Sequence, residues 1–91
     1  MTETEKRIAV YLDRKEINCA LDGYRYLIEA ISYTIKHPAA TSKMYSTSVA
    51  ERYDVNIKQV ETSISYALKL KYEKPKRFIH EAANVLRVIE S

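Results

Sequence analysis

Apolar residues in the stretch 54–70 return every three or four positions, which is the spacing of one face of an α-helix. At about 100° per residue, Val60 and Ile64 fall on one side of such a helix, and Thr62 and Lys69 fall on the other. The apolar side consists of Ile57, Val60, Ile64, Ala67 and Leu68, and the polar side of Lys58, Gln59, Thr62, Ser65, Tyr66 and Lys69. The apolar face requires a core, and the polar face is available to a partner.

The same periodicity predicts further helices along the chain. They cover about residues 4–16, 22–36, 44–53 and 75 to the C-terminus, and the helix described above covers 56–72. The expected apolar stripe of the last helix is Phe78, Ala82, Val85, Leu86 and Ile89. The pattern therefore predicts a bundle of about five helices.

Residues that favour helix ends give the predicted boundaries. Asn18 is a candidate left-handed terminator of the first helix, and Asp22 is a candidate N-cap of the second. His37-Pro38 ends the second helix, because a residue before proline disfavours the α region. Ser48 to Glu51 matches a capping box, so the regular part of the third helix is expected to start late. Pro75 suits the first turn of the last helix.

A three-residue break separates the third and fourth predicted helices. Asn56, followed three residues later by Gln59, is an N-terminal capping pattern, so a new helix begins there. Asp54 can adopt the left-handed conformation of a tight turn, Val55 is placed to fill that turn, and Ala50 is small where two helices would cross. This arrangement predicts a helix-turn-helix unit, whose second helix lies in the DNA major groove.

Composition supports a helical fold. One Gly and two Pro among 91 residues favour long helices over a turn-rich β sandwich. We predict one domain, residues 1–91, of the all-α class: a compact bundle containing a helix-turn-helix, of winged-helix-like or response-regulator effector type, with no β wing. The single cysteine, the charged N-terminus and the lack of an apolar run of about 18 residues favour a cytoplasmic protein.

The positive charge flanks the proposed turn. The formal net charge is +3, but residues 43–77 alone carry eight basic residues against four acidic ones. A local excess of this kind favours a polyanion partner. The alternative is that the basic cluster merely solubilises a helix end, and that the polar face of the fourth helix is an ordinary solvated surface.

Three segments carry a resemblance to a known family. They are Asp22–Ile31, Met44–Tyr53, and the Val-Glu-x-x-Ile-x-x-Ala run that starts at Val60. In order and spacing, they resemble the C-terminal DNA-binding domain of the sporulation master response regulator, from about Ile8 to Glu90. The resemblance implies an all-helical effector domain of a bacterial sporulation regulator that binds promoter DNA, commonly as paired copies on adjacent sites.

The chain departs from that family in three respects. We expect it to lack the N-terminal receiver domain, so another signal would replace phosphorylation within one polypeptide. Tyr72–Pro75 replaces a loop and a helix of the family. Where members have arginines and a histidine on the exposed face, this chain has Thr62, Ser65 and Tyr66. Because bidentate arginine contacts to guanine each contribute about 1–3 kcal/mol of discrimination, we expect an altered or weakened sequence preference.

The candidate DNA-binding residues lie on the fourth helix and just after it. They are Lys58, Gln59, Glu61, Thr62, Ser65, Tyr66, Lys69, Lys71, Lys74, Lys76 and Arg77. Gln59 can pair with adenine, lysines can neutralise phosphates, and Glu61 matches a family glutamate. Most of the tyrosines, such as Tyr24 and Tyr53, lie on apolar stripes and are expected in the core, whereas Tyr66 is placed to touch a ligand.

Enzyme chemistry is not predicted. His37, His80 and Cys19 match no metal-ligand or nucleophile spacing, and one glycine cannot form a phosphate-binding loop. We expect no cofactor and no metal. Two functions remain: a DNA-binding transcriptional regulator, with double-stranded DNA and a second copy as candidate partners, or a protein-interaction or dimerisation module that uses the same scaffold to bind a regulator. Neither involves a membrane.

Overall fold

The computed structural model describes residues 1–69 and 74–90, and within these residues the chain forms five α-helices and no strand. The helices are α1 (Glu3–Arg14), α2 (Asp22–Lys36), α3 (Ser42–Tyr53), α4 (Ile57–Leu68) and α5 (Pro75–Glu90). None of the helices described is long and apolar enough to cross a bilayer. The all-α prediction is confirmed.

The α2 helix lies at the centre of the fold and packs against each of the other four helices. Leu27, Ala30 and Ile31 are completely buried, and Tyr26 and Ile28 are nearly so. A helix that is apolar on most sides is typical of a position inside a protein. Burial of each large aliphatic side chain stabilises the fold by about 1.5–3 kcal/mol. Because α4 packs against this buried helix, α2 supports it.

The end of α1 differs from the prediction. The left-handed residue is Glu16, with φ at 61°, rather than Asn18. The Ile17 N–H donates to the carbonyl of Leu12 at 3.1 Å, which is the bond of a Schellman motif. The Asn18 side chain instead accepts a bond from the Ala20 N–H at 2.9 Å and forms the next turn. The helix therefore ends two residues earlier than about 16.

The start of α2 is shifted by one residue. Leu21 is the N-cap and makes no side-chain capping bond, so the prediction that Asp22 is the N-cap was wrong. Asp22 is the first helical residue, where its negative charge interacts favourably with the positive end of the helix dipole. Its carboxylate also pairs with Arg25 at 2.7 Å. The helix ends before His37, as predicted.

The start of α3 was also misplaced. The helix begins at Ser42, because the Thr41 hydroxyl accepts the Met44 N–H at 3.2 Å and caps it. The capping box expected at Ser48 to Glu51 does not form. Ser48 lies inside the helix and donates to the Glu29 carboxylate on α2 at 2.8 Å. The third helix is therefore longer than predicted.

The α5 helix begins at Pro75 as predicted, but its buried face is rotated. Phe78, Ala82 and Leu86 are buried, whereas Val85 and Ile89 are 46% and 64% exposed, so those two core assignments were wrong. Ile79 and Ala83, omitted from the prediction, are completely buried. Both stripes fit a helical period, and packing against α2 selects the one centred on Ile79 and Ala83.

Candidate DNA-binding surface

The turn between α3 and α4 has the predicted form. Asp54 is left-handed, with φ at 53° and ψ at 50°, and the Val55 N–H donates to the Ala50 carbonyl at 3.1 Å. Val55 and Ala50 both pack against the core. The Asn56 side chain then accepts the Gln59 N–H at 2.7 Å and caps α4. A Schellman end and an N-cap thus follow each other within three residues, which makes a compact helix-turn-helix.

The inner face of α4 is fixed by packing. Val60 and Leu68 are completely buried, and Ile64 is 2% exposed. Gly23 of α2 lies directly beneath: a Cβ atom at this position would be 2.3 Å from the Ser63 carbonyl oxygen. The two backbones therefore approach closely at a point where only glycine fits. This contact determines how α4 is placed on α2.

The outer face of α4 is exposed along its length. Lys58, Thr62, Ser65 and Lys69 follow its centre line, with Gln59 and Tyr66 along one edge and Glu61 along the other; all seven are exposed. The Tyr66 ring is 60% exposed, and the Lys69 ammonium nitrogen lies 5.6 Å from the ring centroid. The structure thus brings the α4 candidates together on one polar surface.

The beginning of α5 lies beside this surface. Lys76 lines a cleft of about 210 Å³ together with Ser65 and Glu61 of α4. Tyr45 of α3 lines the same cleft. The pKa of its hydroxyl is raised, chiefly by burial and also by the Glu61 carboxylate, although the hydrogen bond to Ser42 acts in the opposite direction. Lys76 is therefore a cation that extends the α4 surface.

The other basic candidates differ in their placement. Lys74 is exposed at the residue before α5. Arg77 is exposed too, but its Nε atom lies 3.1 Å from the Glu81 carboxylate, so its charge is partly balanced. Lys71 lies outside the described residues. Of the three, Lys74 and Arg77 are exposed at the start of α5.

A family comparison adds to this geometry. The family described as "Sporulation initiation factor Spo0A C terminal" matches residues 8–87 of the 91-residue chain. The chain belongs to this family. No curated protein and no solved structure matches it. The resemblance expected from the sequence is confirmed, and at the family level the helix-turn-helix is that of a sporulation regulator's DNA-binding domain.

In this member of the Spo0A C-terminal family, α4 and α5 are close together in sequence. The α4 helix ends at Leu68, earlier than the predicted end at residue 72, and α5 begins at Pro75. Of the predicted replacement segment, Tyr72–Pro75, the first two residues lie outside the described residues, and Pro75 is the first residue of α5. At the positions where the resemblance implies arginines and a histidine, Thr62, Ser65 and Tyr66 are all exposed. The changed chemistry is thus on the surface of the helix and not in its core.

An ion-pair cluster behind α3 was missed by the sequence analysis, which counted Arg52 among the cations near the turn. Its guanidinium contacts the carboxylate of Glu29 at 2.6 Å and that of Glu5 at 2.9 Å. The hydrogen bond from the Thr2 backbone, followed by that from Arg52, lowers the pKa of Glu5. These partners are 23 and 47 residues away, so no local pattern indicates them. Arg52 is occupied in joining α3 to α1 and α2.

The residues weighed for metal or nucleophile chemistry lie apart from the α4 surface. Cys19 is exposed, the His37 ring packs 4.4 Å from Tyr33, and the His80 Nε2 atom is 2.8 Å from the Ala40 carbonyl oxygen. Within the described part of the chain, no three His, Cys, Asp or Glu residues are grouped so that they could hold a metal ion. Each histidine contributes to local packing or hydrogen bonding.

Proposed function

We propose that the chain is a sequence-specific DNA-binding regulator of transcription, in the manner of sporulation factors, and that α4 enters the major groove. One observation carries the proposal: immediately after a three-residue turn, α4 presents a continuous exposed polar face while its opposite face is buried. In helix-turn-helix proteins the N-terminal residues of the second helix contact base edges. Here the residues proposed to contact bases are Gln59 and Thr62, and Lys58 beside them faces the phosphates.

Each outer side chain has a proposed role. Lys58 and Lys69 neutralise phosphates, and Gln59 pairs with adenine. The Thr62 methyl group contacts the methyl group of thymine. The flanking contacts are assigned to Glu61, Ser65, Tyr66, Lys71, Lys74, Lys76 and Arg77. Because α4 has no arginine, guanine discrimination by a bidentate guanidinium is replaced there by a preference for A·T pairs.

The proposed mode of binding has consequences for assembly and location. Paired copies on adjacent sites would extend the contact, as the family resemblance implies, and would raise the apparent affinity through linkage on one duplex. A chromosomal target requires a cytoplasmic protein. The competing function is a protein-interaction module. It would instead have a protein regulator as partner, or would dimerise through the α4 face.

Selection of bound duplexes from a random pool, followed by gel shift with the selected sequence, tests the proposal. If Lys58, Lys69 and two of the flanking cations each neutralise one phosphate, affinity should fall by about 100-fold between roughly 50 and 200 mM salt. The selected site should also outcompete a scrambled one. Failure to form a complex at low salt rejects DNA binding. A dimer in which a second copy covers the α4 face, and which DNA does not dissociate, supports the protein-interaction alternative instead.

A further inference from the structure

A groove of about 700 Å³ lies between α1 and α5, and it involves neither helix of the helix-turn-helix. Its floor is apolar and open to solvent: Val10 of α1 is 49% exposed, and Val85 and Ile89 of α5 are 46% and 64% exposed. Tyr11 and Leu86 continue the floor towards the core. Aliphatic residues from two neighbouring helices therefore share one concave surface.

Val10, Val85 and Ile89 are only partly buried by the fold, and about half or more of each side chain remains in contact with water. Val85 and Ile89 fall on the stripe that the sequence predicts to be buried, yet α5 packs through Ile79 and Ala83 instead. Single exposed apolar residues are ordinary, whereas a contiguous group within a groove is typical of an interaction site. Covering each of these side chains would stabilise a complex through removal of apolar surface from water.

The rim of the groove carries a positive charge. Lys6, Arg7, Arg14 and Lys15 of α1 line it, against the single carboxylate of Glu3, a net charge of +3 among the charged lining residues. Arg7 and Glu3 approach each other at 3.6 Å, and the Lys15 ammonium lies 5.5 Å from the centroid of the Tyr11 ring, so Lys6 and Arg14 are the rim cations best placed to attract an anion. An apolar floor beneath a cationic rim selects for a partner of the complementary pattern.

We propose that this groove binds an amphipathic helix of a partner protein, with an apolar stripe flanked by Asp and Glu. Helices lie in apolar grooves through residues spaced at i, i+3, i+4 and i+7, and acidic flanks would meet the cations of α1. A second copy fits less well, because a two-fold contact through this groove would bring the cationic rims of the two copies together. DNA would place phosphates over Val10 and Val85. The site is distinct from α4, so its use is independent of DNA binding.

The test uses two synthetic helical peptides of about three turns, identical except that glutamates or lysines flank a leucine stripe. Fluorescence anisotropy should show that the acidic peptide binds at least about tenfold more tightly. Val85→Asn and, separately, Val10→Asn should weaken its binding about tenfold, and Arg14→Glu should reduce the preference for glutamate. Met44→Gln is the matched control: Met44 is 41% exposed on α3, at a position where glutamine suits the cap.

Several results would overturn this proposal. Equal binding of the two peptides rejects the charge complementarity, and undiminished binding by both asparagine variants rejects the groove. A dimer that Val85→Asn dissociates assigns the groove to a second copy, and displacement of the peptide by duplex DNA assigns it to phosphate. If Val85→Asn loses its helical circular dichroism, Val10→Asn decides. Gel shifts with Val85→Asn should match the wild type, which separates this site from the proposed DNA surface.

Discussion

The two faces of α4 are constrained to different degrees. On the inner face, Val60, Ile64 and Leu68 fill the core, and the close approach to Gly23 leaves no space even for a methyl group. On the outer face, Lys58 and its neighbours project into solvent and are held only by the backbone. The inner face thus determines where the helix lies, and the outer face determines what it can contact. Substitutions on the two faces should have separable effects.

The largest effect is expected from Ile64→Ala on the inner face. Removing this buried side chain loses transfer free energy and leaves a cavity, so the free energy of unfolding should fall by about 2–5 kcal/mol. Urea denaturation measures the change. Ser65→Ala, one residue further along and exposed, is the control and should stay within about 0.5 kcal/mol of the wild type. Equal losses for the two variants would contradict the assignment of the faces.

Gly23→Ala should have the next largest effect. In most helices this change is stabilising by about 1 kcal/mol, because alanine has the higher helix propensity. Here the new methyl carbon would meet the Ser63 carbonyl oxygen, so α4 must move away from α2 and stability should fall by about 1–3 kcal/mol. The opposite sign makes the test decisive. A melting temperature equal to or above that of the wild type would show that the helices are further apart.

Lys58→Ala and Lys69→Ala test the outer face. Each should weaken DNA binding several-fold and reduce the slope of log affinity against log salt by about 0.9, while thermal stability is unchanged. Lys36→Ala is the charge-matched control, because Lys36 is exposed at the end of α2. If neither α4 variant changes the affinity or the slope, the assignment of this face to the groove is wrong.

The smallest effect concerns the ion pairs that hold α3. The pKa of Glu5 is lowered from its ordinary value of 4.5, chiefly by the Thr2 N–H and then by Arg52. A lowered folded-state pKa contributes stability above the unfolded pKa, and this contribution is lost as the pH falls through the folded value. The stability of the wild type should therefore decline from about pH 5 downwards more steeply than that of Glu5→Gln.

Chemical denaturation at several pH values compares the two proteins. Glutamine retains the capping bond to the N-terminus of α1, so Glu5→Gln isolates the effect of charge. Parallel pH profiles for the two proteins would show that Glu5 contributes no proton-linked stability.

The inner face of α4 and the turn before it could be predicted because each depends on local sequence. Val60 and Ile64 are one helical turn apart, and Asp54 and Asn56 have strong local preferences. The buried face of α5 could not be predicted, because two stripes satisfy the same period and the choice depends on α2. The α3 cap at Thr41 was missed because Met44 occupies the position where Glu or Gln is usual.

The site was predictable as a surface but not as a charge distribution. All of the α4 candidates are exposed together, as the helical period requires. The partners of Arg52 depend on tertiary contacts, whereas Arg77 and Glu81 are an i, i+4 pair on α5; both pairings reduce the free positive charge of the surface. Which bases the outer face contacts depends on a docked geometry that a single chain does not specify.

The backbone contact at Gly23 also has a consequence for engineering and for divergence within the family. Because the helix is held from beneath, by a glycine and three apolar side chains, Thr62, Ser65 and Tyr66 can be exchanged at little thermodynamic expense. Under the proposed DNA-binding function, single surface substitutions would change the base preference without a compensating change in the core. The packing beneath α4 therefore separates the stability of the helix from the chemistry of its exposed face.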